Sequence, residues 1–218
     1  MRVIGIKDLP RLFTCVAERM AEQADALCEM DAKLGDGDLG LTMRKGFGAL
    51  PAVLDEQDEP DLGKRLMKAG MKMASVVPST MGTLMASGVM TGGKALTGWG
   101  EMDAEGYAAY LQGFAEGIAK RGRCQRGERT VLDAIGPAAD RLAAALDEDP
   151  GMDLAKAGEI AVAGAREGVE ATRSMEPKYG KAAVHRAAAQ GVEDQGACAG
   201  LYMLEGYLRY FRAAGQDA

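Results

Sequence analysis

The sequence predicts an all-α fold, and three observations carry that expectation. Apolar residues recur at three- and four-residue spacings through eight separate segments of the 218-residue chain. Aromatics make up only 5% of it, while there are 30 Gly and 14 Met. Small residues let helices approach closely and Met fills irregular gaps, whereas strands favour β-branched and aromatic residues. No stretch reads as a convincing strand.

The first helix is expected over residues 8–30, with Leu9, Leu12, Phe13, Val16, Met20, Ala24 and Leu27 on one face. Asp8 is placed to cap it and Pro10 fits its first turn. A turn rich in Gly and Asp follows, DAKLGDGDLG. The second helix starts near Leu39 and ends before Pro51, and DEQDEP is a charged loop. Leu62, Leu66, Ala69, Met73 and Val76 mark the third helix, which Pro78 interrupts. Met81, Leu84, Met85 and Val89 mark the fourth; Tyr107, Leu111, Phe114 and Ile118 mark the fifth. RGRCQRGER is a polar break. The sixth carries Leu132, Ile135, Ala139, Leu142 and Leu146, with Pro137 kinking it or shifting its start. A seventh, Ala-rich helix runs from about Asp153 to Arg173, and the last carries Leu201, Leu204, Leu208 and Phe211. Between them, residues 174–195 lack a sustained pattern, and long loops in compact domains are often functional. With no break in composition, residues 1–218 are expected to form one domain.

Bulk properties narrow the function. At 47% hydrophobic, the chain is not disordered. Its net charge of −6 argues against a nucleic-acid partner, which calls for a basic face. A phosphate-bearing ligand would be repelled unless a local cationic patch or a divalent metal received it. The N-terminus lacks a long apolar run and no stretch could span a bilayer, so a cytoplasmic chain with no membrane partner is expected. Cys15, Cys28, Cys124 and Cys198 lack the close spacing of zinc or redox sites and read as ordinary thiols.

The turn DAKLGDGDLG presents Asp31, Asp36 and Asp38 within eight positions, punctuated by Gly35, Gly37 and Gly40. Glycine permits turns tight enough to bring several carboxylates to one point. Converging carboxylates repel unless a cation sits between them, and hard oxygen donors suit Mg²⁺ or Ca²⁺. The spacing is not that of an EF-hand. Mg²⁺ takes one or two carboxylates and completes its shell with water and phosphate oxygens. The amides of the following helix N-terminus could add to phosphate binding. The alternative is a solvated loop in which Asp38 only caps a helix.

At this turn the chain resembles the nucleotide-binding L subunit, or L domain, of dihydroxyacetone kinases, whose motif is close to L-D-x-x-I-G-D-x-D-H-G. Here it reads Met30-Asp31-Ala32-Lys33-Leu34-Gly35-Asp36-Gly37-Asp38-Leu39-Gly40, and Met43, Gly46 and Phe47 downstream also fit. The family's S-V-G-G-x-S-G-P-L loop is matched by Ser75 to Leu84. Its R-G…G-D-K-T-M-x-D segment is matched by Arg121-Gly122 and then Gly127 to Asp133. Its G-R-A-S…D-P-G-A segment is matched by Gly180 to Ala183 and then Asp194-Gln195-Gly196-Ala197.

The resemblance spans nearly the whole chain. It implies about eight antiparallel helices in a closed bundle around a nucleotide-phosphate pocket at one end. It implies that Asp31, Asp36 and Asp38 hold two Mg²⁺ ions bridging the phosphates of ADP or ATP. It places Ser79 and Thr80 at the phosphates, Gly127, Thr130 and Val131 near the nucleotide, and Asp194 with them. Lys181 stands where the family has Arg, and Lys181 and Arg129 would offset charge during phosphoryl transfer. The implied activity is that of a kinase subunit. It would pass a phosphoryl group from ATP, or from an ADP recharged by a phosphoprotein donor, to a small ketose or polyol held by a partner K-type subunit. A homodimer is compatible with it.

Three departures mark a divergent member. Leu39 replaces the motif's His, Val77-Pro78-Ser79-Thr80-Met81 replaces the Gly-rich loop, and Glu128-Arg129-Thr130-Val131 replaces Asp-Lys-Thr-Met. They motivate an alternative, a catalytically impaired paralogue that acts as a nucleotide-binding regulatory or partner-binding protein. A purely structural helical module would show no Mg²⁺ dependence of any property. The single histidine, His185, reads as a loop residue and Trp99 as a packing anchor. Arg121, Arg123, Arg126 and Arg129 read either as a solvated face or as neutralisation of phosphates or an acidic partner.

Overall fold

The computed structural model describes residues 3–184 and 186–216, with the side chains of Lys181 and Gln216 outside the description; His185 also lies outside it. The described residues form eleven α-helices: α1 (Leu9–Glu22), α2 (Ala24–Ala32), α3 (Leu39–Gly48), α4 (Leu50–Asp55), α5 (Leu62–Val76), α6 (Thr80–Ala95), α7 (Ala104–Gly122), α8 (Leu132–Glu148), α9 (Leu154–Ala171), α10 (Arg186–Ala189) and α11 (Gln195–Gln216). Two strands of two residues, β1 (Ile4–Gly5) and β2 (Glu101–Met102), pair antiparallel and were not legible as strands.

All eight expected helices are present, and three short segments account for the difference in number. The helix expected over residues 8–30 breaks at Gln23, where φ is −102° and ψ 3°. Apolar spacing continues across the break, so periodicity could not reveal it. The second helix does end before Pro51, at Gly48, and Pro51 sits in the first turn of α4, where a missing N–H costs nothing. The third, α10, lies in the segment that showed no pattern. Pro137 sits inside α8 rather than at its start.

Helix starts follow side-chain chemistry. Asp61, Ser79, Asp103 and Asp153 each accept a hydrogen bond from the backbone N–H three residues on, capping α5, α6, α7 and α9. Asp8 does not cap α1 as expected. Its carboxylate instead accepts from Gly5 N at 3.0 Å and from the Tyr210 hydroxyl at 2.8 Å, tying the chain's start to α11.

The long helices close into a ring: α1 packs on α3 and α4, these on α5, then α6, α7, α8, α9 and α11 follow in turn, and α11 returns to α1. Glycines let α6 and α7 touch backbone to backbone. A Cβ on Gly117 would lie 2.4 Å from Ser87 O, and one on Gly113 2.8 Å from Thr91 O. A continuous buried core fills the ring. Its centre holds Phe13, Tyr107, Tyr207 and Phe211 in edge-to-face contacts, with the Tyr110 and Tyr207 hydroxyls 3.0 Å apart. Trp99 covers Gly106 of α7, which agrees with a packing anchor, although it stays partly exposed.

Candidate functional site

The aspartate turn joins α2 to α3, and close backbone packing decides its shape. A Cβ on Gly40 would lie 1.8 Å from Ala24 O, so α3 meets α2 at a distance only glycine allows. Gly37 takes φ +76°, the left-handed region that favours glycine. Asp31 thereby comes within reach of the chain it precedes. Its Oδ2 accepts from Gly37 N at 2.9 Å and Asp38 N at 3.1 Å. Gln195 Nε2 approaches its Oδ1 at 3.4 Å. Gly35 leaves room for that oxygen, since a Cβ there would stand 2.4 Å from it.

Asp31, Asp36 and Asp38 each offer a carboxylate oxygen, and the three lie within 4.8 Å of one another. Asp31 is buried and the other two are exposed. Asp38 occupies the N-cap position of α3 without its side chain capping the helix. The capping role that the alternative gave Asp38 is therefore not seen. The donor set is all oxygen, with two water-facing carboxylates beside one fixed by amides, and that fits Mg²⁺ better than a softer metal.

These aspartates line one wall of a cavity of about 420 Å³. The N-terminal end of α6 forms another wall through Ser79, Thr80 and Met81. Ser79 Oγ is engaged by Gly82 N at 3.0 Å, while the earlier first-turn amides have no acceptor within the helix. Thr130 and Val131 line a third side, and Asp194, Gln195 and Gly196 at the start of α11 a fourth. Leu39 faces the cavity as an apolar side chain.

Asp133 shapes the Gly127–Val131 turn. Its buried carboxylate accepts from Gly127 N at 2.6 Å and Thr130 N at 2.7 Å. Gly127 takes φ +82° and serves the turn without lining the cavity. Residues 174–184 and 186–193 form a strap whose Tyr179, Gly180 and Ala182 complete the cavity wall. Leu34 of the aspartate turn packs with Ala182 and Ala189 in a small buried cluster, so turn and strap are joined. Lys178 Nζ holds Glu128 at 2.9 Å and the Tyr179 hydroxyl donates to Arg123 O at 2.8 Å.

Arg129 anchors the strap. Its side chain is wholly buried, and its NH groups donate to the carbonyls of Ala189, Val192 and Glu193. Its Nε has no hydrogen-bond partner among the described residues and lies 3.9 Å from Asp194 Oδ1. Burial lowers its pKa from the ordinary arginine value. The basic run therefore divides: Arg129 is interior, Arg126 pairs with Asp140 on the surface, and Arg121 and Arg123 are exposed. Lys181 begins a short 3₁₀ turn in the strap, and its side chain lies outside the described residues.

Asp194 caps α11, accepting from Ala197 N at 2.8 Å. Burial pushes its pKa from 3.8 to about 6, against the pull of Arg129. The unfolded chain releases this proton near pH 4 and the folded chain near pH 6. The stability it contributes is therefore complete below about pH 4 and is lost as pH rises through about 6. That difference amounts to roughly 3 kcal/mol. Asp194→Asn should flatten that fall when the unfolding midpoint is followed from pH 4 to 7; an unchanged slope would assign it to other groups.

Sequence reasoning missed Gln195, Tyr179 and Thr42 on the cavity wall. Gln195 could have been found as a polar residue opening a helix beside a capping Asp. No local signal marks the other two. The four cysteines are free, and burial pushes Cys198 up to about 12, in keeping with ordinary thiols. No helix among the described residues is long and apolar enough to cross a membrane.

Comparison with known proteins bears on the family and the fold. The chain is 34% identical over 125 residues to the ADP-binding subunit DhaL of the PEP-dependent dihydroxyacetone kinase 1 of Listeria innocua, an alignment covering 57% of this chain and 63% of that subunit. It is 25% identical over 197 residues to the corresponding subunit of Escherichia coli K12, covering 88% of this chain and 91% of the other. The fold matches the crystal structure of the C. freundii dihydroxyacetone kinase in complex with AMP-PNP and Mg²⁺, with a TM-score of 0.68 at 22% identity, over 96% of this chain and 35% of that one. Residues 33–209, which include Asp36 and Asp38 and most of the ring, match the DAK2 domain, and the chain belongs to that family.

Proposed function

We propose that this chain is the nucleotide- and Mg²⁺-binding phosphotransferase component of a dihydroxyacetone-kinase-like system. It passes a phosphoryl group from ATP, or from a recharged ADP, to a small ketose or polyol held by a partner K-type subunit. The observation that carries this is the convergence of three aspartates on a cavity that also receives the N-terminal end of α6.

Phosphoryl transfer asks little covalent chemistry of a protein and much positioning. Asp31, Asp36 and Asp38 would hold Mg²⁺, two ions in this reading, with Asp31 pre-oriented by the amides of Gly37 and Asp38. When bound, Mg²⁺ neutralises charge on the phosphates and on the group in transfer. Ser79 caps the start of α6 at the cavity, where the amides of Thr80 and Met81 would be available to phosphate oxygens. Thr130 and Val131 border the nucleotide, and Leu84 and Val131 exclude water from that wall. Asp194 fixes the start of α11. Arg129 contributes positive charge at the wall while its NH groups hold the strap, and Lys181 takes the second cationic role on sequence grounds.

The test is a coupled assay with ATP, Mg²⁺, a K-type subunit and dihydroxyacetone as acceptor. Turnover that needs both proteins is expected. Tight nucleotide binding without turnover for any ketose would favour the regulatory alternative, which the apolar Leu39 on the cavity wall motivates.

A further inference from the structure

We propose that Gln195 is a positioning residue that sets the divalent-cation affinity of the aspartate cluster; this rests on the metal reading above. Asp31 is the buried member of the cluster, and its two oxygens are held differently. Oδ2 takes two backbone amides from its own turn, so its place is fixed locally. Among the described residues, Oδ1 has one hydrogen-bond neighbour from elsewhere in the fold, the Gln195 carboxamide at 3.4 Å, across 164 residues of sequence. Gln195 lines the same cavity and is the first residue of α11.

The backbone of Gln195 is itself well held. Asp194 caps the helix through Ala197 N, and Asp194 N donates to the buried Thr172 hydroxyl at 2.9 Å. Gly196 packs tightly, its Cβ position 2.9 Å from Asp194 Oδ2. A carboxamide on so rigid a base presents either a donor or an acceptor by turning about its last bond. Its N–H₂ steadies Asp31 Oδ1 without a cation. Its Oε1 accepts from a water in the cation's shell once one is bound. Outer partners of this kind orient ligands and tune metal affinity. The related motif carries Pro here, which offers neither group, so the device belongs to this chain's departures.

The test is Mn²⁺ binding followed by electron paramagnetic resonance on nucleotide-free protein, for the parent, Gln195→Ala and Gln195→Glu. Gln195→Ala should weaken Mn²⁺ binding about tenfold and lower the cation-free unfolding midpoint only slightly, by the loss of one long hydrogen bond. Gln195→Glu adds a carboxylate beside Asp31, so it should tighten Mn²⁺ binding and lower the cation-free midpoint. Opposite shifts in the two variants are not the mark of a merely structural residue. Parent-like affinity in both variants would overturn the proposal while leaving the metal site intact. Failure of the parent to bind Mn²⁺ would overturn the metal reading and this proposal together.

Discussion

Asp31→Ala is expected to raise the dissociation constant for Mg²⁺-nucleotide about 100-fold, roughly 3 kcal/mol, and to destabilise the protein as well. The two effects have separate origins. A carboxylate oxygen leaves the cation site, and Gly37 N and Asp38 N lose a charged acceptor. Hydrogen bonds to charged groups contribute about 1.5–3 kcal/mol each, less where water can replace the partner. A net cost near 2 kcal/mol would lower the unfolding midpoint by roughly 4–8 °C. Asp36→Asn separates the effects, because Asp36 is exposed. It should weaken Mg²⁺-nucleotide binding with little change in midpoint. Calorimetric titration beside thermal unfolding reads both quantities. Undiminished affinity in Asp36→Asn would remove that residue from the site.

Arg129→Ala should be the most destabilising single change at the cavity. It leaves Asp194 buried without its cation and frees three carbonyls of the strap. Breaking one side of a buried ion pair costs about 3–5 kcal/mol. The midpoint should drop by roughly 10 °C, and limited proteolysis should cut within residues 174–193. Arg129 also takes φ +59°, where a side chain is strained. Arg129→Gly should therefore be about 1 kcal/mol more stable than Arg129→Ala. A strap that stays protected in Arg129→Ala would show that Leu34, Ala182 and Ala189 hold it without the guanidinium.

The helices were legible because burial in a ring of helices imposes a period near 3.6 on each one, from Leu9 to Phe211. The convergence of the three aspartates was legible because the interspersed glycines permit a turn tight enough to bring their carboxylates together. Other features depend on contacts no local pattern encodes. The break at Gln23 keeps the apolar spacing intact, so α1 and α2 read as one helix. Asp8 looked like a cap, but the Tyr210 hydroxyl and Gly5 N claim its carboxylate. Arg129 reads as one member of a basic run, whereas the fold buries it and spends its donors on a strap 60 residues away. Gln195 meets Asp31 only because α11 closes the ring beside α2.

Thermal unfolding with ADP or ATP, each with and without Mg²⁺, tests the central claim most directly. A ligand at a hundredfold its dissociation constant stabilises the native state by about 2.7 kcal/mol. For a chain of this size the midpoint should rise by roughly 5–10 °C, and only when nucleotide and Mg²⁺ are both present. No rise at saturating concentrations, in protein free of co-purified nucleotide, would contradict a Mg²⁺-nucleotide site at Asp31, Asp36 and Asp38.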